Sequence, residues 1–273
     1  MELWQALILG LVEGLTEYLP VSSTGHLLVV QRLLGIEASE AANAYAIVIQ
    51  AGAIVAVLGL YRRRVWQMTL GVAGHDPTGA RIAIALLVAF VPAAVLGLSA
   101  GDAIERYLFG PWPIALAWAV GGLLILGIAH RIHPTQGNAL ESITWRVALI
   151  IGIAQCAALW PGVSRSLATI LGALAAGLSL GAAVEFSFLL GLLTLGAATA
   201  YKAVDSGAAM LEAYGALEIA AGFGAAWVSA VLAVKWMVAW LSRRGLGVFG
   251  WWRLAAAAFV LFMVGTGRMS ALP

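Results

Sequence analysis

Residues Gly10 to His26 read GLVEGLTEYLPVSSTGH, which sets two glutamates, a proline, two serines, a threonine, a glycine and a histidine between apolar flanks. Each ionisable group in a membrane-spanning helix costs at least ~2.5 kcal/mol on insertion scales, so this run cannot be a plain span. Broken backbone at membrane depth is tolerated only where it is buried in protein or lines a wet cavity. The rest of the chain can bury it. It is 62% hydrophobic and only 10% charged, with a mean hydropathy of +0.97, whereas soluble domains are about a quarter charged. The chain therefore reads as an all-α polytopic membrane protein, and nothing in its charge points to nucleic acid. A single cysteine, Cys156, excludes an intramolecular disulfide and a cysteine-based metal cluster. Met1-Glu2 is followed by no basic segment or small-residue cleavage site, so no removed signal peptide is expected.

Six apolar segments are long enough to cross a hydrocarbon core of ~30 Å: Asn43 to Tyr61, Arg81 to Ala100, Trp112 to His130, Ala182 to Val204, Ala216 to Leu241 and Trp251 to Arg268. Two further apolar regions are interrupted. Leu3 to Leu19 stops at Pro20 before Leu27 to Leu34, and Trp145 to Trp160 stops at Pro161-Gly162 before Leu167 to Ala176. Each is expected to form a re-entrant helical hairpin.

The interrupted regions align without a gap. Ala6, Leu7, Ile8, Gly10, Val21 and Ser22 fall on Ala148, Leu149, Ile150, Gly152, Val163 and Ser164, while Glu13 falls on Gln155 and Ser23 on Arg165. In both halves three long spans follow. An odd number of crossings per half predicts an inverted-topology repeat within one membrane domain, 1–273: repeat one 1–130, with hairpin 3–36, and repeat two 145–268, with hairpin 145–177. The positive-inside rule orients it. Arg62, Arg63, Arg64 and Arg81, then Arg131 and Arg146, then Arg243, Arg244 and Arg253 fall on one, cytoplasmic side; Glu37, Glu40, Asp102, Glu105, Asp205 and Glu212 fall on the other, against Arg106 and Lys202. The first hairpin then opens outward and the second enters from the cytoplasm.

Glu13 and Glu17, four apart, share one helix face. Two such acids in a low dielectric either hold a divalent cation or share a proton. After Pro20, Val21-Ser22-Ser23-Thr24-Gly25-His26 is expected to form a loop opening a helix, whose free N–H groups suit an anion, phosphate above all. Ser23 is then a hydroxyl nucleophile and His26 an acid or base within one turn. Plain helix capping would need one such hydroxyl. In the second hairpin, Pro161-Gly162-Val163-Ser164-Arg165-Ser166 and Thr169 place a guanidinium among hydroxyls, which suits bidentate phosphate binding and also a counter-ion role toward Glu13 or Glu17. Gln50 either reaches the site or cross-links helices. Glu185, His130 and His133 read as interfacial groups, and Trp251-Trp252 beside Arg253 as an interfacial anchor.

VEGLTEYLPVSSTGH (Val12 to His26) paired with AQCAALWPGVSRSLAT (Ala154 to Thr169) closely resembles the undecaprenyl-pyrophosphate phosphatases of the bacitracin-resistance type. The resemblance extends over nearly the whole chain. It implies an enzyme of the bacterial inner membrane that removes a phosphate from a polyprenyl pyrophosphate lipid at the outer face, with Mg2+ or Ca2+ as cofactor. It further implies an acidic motif of Glu13 and Glu17, also the metal ligands; a catalytic pair of Ser23 and His26 acting with Arg165; and a phosphate site including Ser22, Thr24, Ser164, Ser166 and Thr169, to which the residue reading adds Gly25 and Gln50. Serine attack, histidine attack and direct water attack all remain open on these residues. The rival reading is a lipid-phosphate flippase or anion-coupled carrier that uses Arg165 as a clamp. Gly121-Gly122 and Gly191 to Gly196 would allow close helix contact within a subunit or in a homodimer.

Overall fold

A computed structural model describes residues 1–36, 39–130 and 136–269, with the side chains of 40, 43, 102, 105 and 205–212 left aside. Glu37, Arg131 and His133 lie outside the described residues, as do the side chains of Glu40, Asp102, Glu105, Asp205 and Glu212. Within the described residues every regular element is helical: α1 (Leu3–Thr16), α2 (Ser23–Leu33), α3 (Glu40–Leu60), α4 (Arg62–Val72), α5 (Pro77–Leu108), α6 (Pro111–Ala129), α7 (Trp145–Cys156), α8 (Arg165–Ala175), α9 (Leu180–Ala213), α10 (Ala216–Arg244) and α11 (Gly247–Gly265). Short 3-10 turns occupy Leu140–Ser142 and Ala157–Leu159.

Five helices (α5, α6, α9, α10 and α11) are long and apolar enough to cross a membrane, and α3 with α4 makes a sixth if the bent pair is one span. The bend is 79° and falls at Tyr61, where φ −102° and ψ 19° leave the helical region. Its cause is legible in Arg62-Arg63-Arg64, which cannot follow α3 through lipid. Arg64 instead ties α4 to the rest of the fold by pairing with Glu185 at 2.6 Å and Glu141 at 2.7 Å. Glu185 is thus an ion-pair partner at the base of α9. Beyond α4, Asp76 caps α5 by accepting from the Gly79 amide at 2.7 Å, and that bond holds its carboxyl below the usual range.

By contrast α1, α7 and α8 span 14, 12 and 11 residues, too short at 1.5 Å per residue to cross alone. The packing of α1 and α7 follows a shared pattern. Helix α1 lies along α10 and α7 along α5. Gly10 abuts the Gly222 carbonyl, and a Cβ on Gly152 would stand 2.6 Å from the Ala89 carbonyl oxygen. Without a hydrophobic drive in lipid, such close backbone contact is what holds helices together. Helix α3 packs on α9, and α6 on α11. Between them the largest buried cluster gathers Tyr18, Val21, Leu167, Ile170, Phe186 and Phe188, directly beneath the two hairpin tips.

Candidate active site

Each hairpin turns on a serine with positive φ. Ser22 has φ 74° and ψ 101°; Ser164 has φ 75° and ψ 118°. They are the only non-glycine residues at positive φ among those described. A side chain there costs on the order of 1–3 kcal/mol and persists only when its surroundings enforce it. The left-handed serine turns the chain so that the next helix starts at once. As a result α2 begins at Ser23, a full turn before the expected Leu27, and Ser23 to His26 form its first turn.

The surroundings that enforce these turns are visible bond by bond. Trp118 Nε1 donates to the Val21 carbonyl at 2.9 Å, and its ring lies where a Cβ on Gly25 would come within 2.7 Å. Gly25 is therefore spaced for the indole, whereas a larger residue would displace it. Ser166 Oγ donates to the Leu19 carbonyl at 2.9 Å, joining one tip to the other. Arg253 completes the junction. It is fully buried and donates to Pro20 O at 3.2 Å, Gly162 O at 2.8 Å and Ala117 O at 2.9 Å. Arg253 therefore does not sit in a cytoplasmic connection as expected: α11 turns it inward onto the two tips, while the neighbouring Trp251 and Trp252 remain exposed. A buried guanidinium bound only to carbonyls costs desolvation that the three bonds offset. Removing it would free both tips.

Above this scaffold the chemistry-bearing groups converge. The Ser23 hydroxyl donates to Glu17 Oε2, Gln50 Nε2 donates to the same oxygen at 3.3 Å, and Arg165 Nη2 pairs with Glu17 Oε1 at 3.3 Å. Arg165 also donates to the Ser187 carbonyl at 2.9 Å and lies 5.3 Å from the Tyr18 ring centroid. Glu13, one turn before Glu17, is buried with Oε1 lacking any hydrogen-bond partner. The first turn of α2 has no side-chain cap from Ser22, so its N–H groups are left for an incoming anion.

His26 is held apart from this cluster. Its Nδ1 is 2.7 Å from the Ser22 carbonyl, and its Nε2 accepts from Trp252 Nε1 at 3.0 Å. Its ring stacks on Trp252 at 15° and tilts against Trp118. Those partners fix the neutral tautomer with the proton on Nδ1, and the hydroxyl partner of Ser23 is Glu17. Of the other residues singled out from sequence, Ser164 caps α8 at the Leu167 amide, 3.2 Å away, and touches Ser166 Oγ at 3.0 Å. Thr169 is spent on Ser187 Oγ at 2.7 Å and on the carbonyl of Arg165. Thr24 is exposed at the mouth. Tyr18, Ser187, Trp118 and Gln155 belong to the site's walls but carried no sequence signal beyond position. Tyr18 adjoins Glu17, and Gln155 occupies the place in the second hairpin that Glu13 has in the first.

The fold and site define a class: a polytopic α-helical membrane protein whose paired hairpins gather an acid, a hydroxyl and a guanidinium. Comparison with known families narrows this. The model of the bacitracin resistance protein BacA matches residues 6–259, and the chain belongs to that family. It is 47% identical over 264 residues to an undecaprenyl-diphosphatase of Sorangium cellulosum, covering 95% of this chain and 86% of the relative. It is 46% identical to undecaprenyl-diphosphatase 2 of Rhodospirillum rubrum, covering 97% and 96%. An undecaprenyl-diphosphatase of Ectopseudomonas mendocina is 44% identical, with 96% and 95% covered.

Proposed function

We infer that this chain is a membrane phosphatase that cleaves undecaprenyl pyrophosphate to undecaprenyl phosphate and inorganic phosphate, recycling a cell-wall carrier lipid and thereby conferring bacitracin resistance. The observation that carries the reading is the Ser23 hydroxyl donating to Glu17 while Arg165 pairs with that same carboxylate. A carrier has no use for a hydroxyl so activated.

The chemistry follows from the placement. The pyrophosphate meets Arg165 and the uncapped N–H groups of α2, which neutralise its oxygens; such positioning is the main requirement in phosphoryl transfer. Ser23 Oγ attacks the terminal phosphorus as its proton passes to Glu17 Oε2. The P–O bond to the lipid-bearing phosphate breaks, and undecaprenyl phosphate leaves. Water, deprotonated by a carboxylate of the site, then attacks the phosphoserine and releases inorganic phosphate, and Ser23 regains its proton. Gln50 holds Glu17 in place, and His26 braces the Ser22 turn against α11.

A divalent cation fits the donor set. Glu13 Oε1 is a buried carboxylate oxygen without a partner, which a hard cation would satisfy. Among the described residues no group of three His, Cys, Asp or Glu could form an all-protein cage. Mg2+ commonly uses one or two carboxylates together with substrate phosphates, and Glu13 with Glu17 would hold it. When bound, it would neutralise charge on the leaving pyrophosphate oxygens.

The wider arrangement belongs to the same reading. We take residues 1–130 and 145–268 as inverted repeats of one membrane domain, supported by the matched serine turns and by the exchange of α1 onto α10 and α7 onto α5. The arginine-rich connections support a cytoplasmic α4 and a site open to the outer face of the bacterial inner membrane. The test is phosphate release from undecaprenyl pyrophosphate by purified protein, with magnesium, calcium or excess chelator. Metal-dependent release that Ser23→Ala abolishes is expected. No release by folded protein under any condition would overturn the reading.

A further inference from the structure

Three apolar clefts of similar size border the hairpins, and they end on different groups. One of about 560 Å3 between α1, α10 and α11 ends at His26, whose two ring nitrogens are already engaged. Another of about 500 Å3 between α6, α7 and α8 ends at Arg253, whose Nη groups are held by backbone carbonyls and whose Nε is buried without a partner, but it touches neither Ser23, Glu17 nor Arg165. The third, about 530 Å3, runs between α5, the Ala157–Leu159 turn and α9, and ends at Arg165 and Gln155. It alone of the three reaches a member of the Ser23–Glu17–Arg165 cluster.

Two buried polar atoms at that inner end have no partner: the donor Arg165 Nε and the acceptor Gln155 Oε1. An unpaired buried polar atom costs free energy comparable to a lost hydrogen bond, so this end is built for a polar occupant. The walls are otherwise apolar, with Phe90, Ala94, Leu159 and Ala198 among them. Its mouth carries Leu98 and Tyr201, 82% and 65% exposed. Both sit toward the ends of α5 and α9 that the arginine asymmetry places outside. The volume is that of an ordinary ligand cavity, roughly 300–1,000 Å3.

We propose that the α5–α9 cleft is the binding groove for the head-proximal isoprene units of the polyprenyl substrate, entered from the outer leaflet, with the pyrophosphate seated at Arg165. The rest of the tail lies in lipid. The proposal rests on the phosphatase reading and adds to it a route of entry and a contact for the prenyl chain next to the phosphates. Apolar walls bind a hydrocarbon chain by exclusion of lipid and close packing, while the unpartnered Arg165 Nε donor selects the end that carries the phosphates.

The experiment compares phosphate release from undecaprenyl pyrophosphate and from isopentenyl pyrophosphate, whose single isoprene unit leaves most of the cleft unfilled, each substrate with its own kcat/KM. The proteins are wild type, Ala198→Trp, Ala94→Phe and, in the His26 cleft, Val248→Phe. Ala198 and Val248 are exposed, so two of the three changes leave the core intact, and elution profile with thermal unfolding verifies folding for all. Narrowing the α5–α9 cleft is expected to lower kcat/KM for the long chain by about tenfold, through KM, while the short-chain value stays within about twofold. Val248→Phe should leave that ratio unchanged. An unchanged ratio in a folded Ala198→Trp variant, or a shift produced by Val248→Phe instead, would overturn the groove assignment. Absence of release from both substrates by wild type would instead strike the phosphatase reading itself.

Discussion

The two hairpin tips share a backbone and divide the chemistry. Ser22 and Ser164 differ by one degree in φ, yet the helix after the first opens with Ser23, uncapped by Ser22, and the helix after the second opens with Arg165, capped by Ser164. Nearly two turns before Pro20 and Pro161 the contrast repeats, with Glu13 in the first arm and Gln155 in the second. Two arms with the same backbone turn thus bring a hydroxyl with its acids from one against a guanidinium from the other. Placing those groups on opposite arms lets neither hairpin make the site alone.

That division sets an order of effects. Ser23→Ala should lower phosphate release by roughly 10³-fold or more. The matching Ser164→Ala should cost about 1 kcal/mol of stability through the lost cap, with turnover within about tenfold. Steady-state kinetics beside thermal unfolding separates the two. Glu17→Gln should reduce kcat by about 10²–10³-fold, since the hydroxyl loses its proton acceptor; a variant with near-normal kcat would move the base elsewhere. Arg253→Met frees both tips at once and strands three buried carbonyls, so it should cost at least ~3 kcal/mol at ~1–3 kcal/mol each. Arg253→Lys, with fewer donors, should recover less than half of the lost thermal stability, and full recovery would show that charge alone suffices.

Smaller effects sharpen the contrast further. Glu13→Gln makes the first arm resemble the second and should raise the magnesium concentration for half-maximal activity by about tenfold, on the scale seen when a metal site loses a supporting group. An unchanged magnesium titration would remove Glu13 from the metal site. Last, Ser22→Gly relieves positive φ without losing a cap and should stabilise by up to roughly 1 kcal/mol, while Ser164→Gly should be near neutral because strain relief and cap loss offset one another. Denaturation of both variants in one detergent reads the difference in sign.

Much of this was legible in the sequence because it depends on local pattern. Hydropathy placed the long helices α5, α6, α9, α10 and α11, and prolines marked the two breaks. The pairing of the breaks exposed the matched arms. What sequence missed arises from contacts between distant segments. Arg253 counted with Arg243 and Arg244 as a cytoplasmic charge, but α6 and both tips supply carbonyls that no local pattern encodes and draw it into the core. His26, three residues after Ser23, looked like its partner until Trp252, on α11, took one face and one nitrogen. The early start of α2 depends on a serine in a conformation that serines rarely adopt, enforced from outside by Trp118 and Ser166. Arg62-Arg63-Arg64 marked the point where α3 must turn, whereas the partners that hold α4 after its 79° bend, Glu185 and Glu141, come from later in the chain.

The central claim is that the two tips form one site, and a double-mutant cycle tests it most directly. Phosphate release from undecaprenyl pyrophosphate is measured for Glu17→Gln, Arg165→Ala and the double variant, each shown to be folded. If Glu17 and Arg165 act as a unit, the double variant stays within about tenfold of the worse single variant in kcat/KM. Losses that multiply, as for independent sites, would contradict a shared site and separate the hairpins' roles.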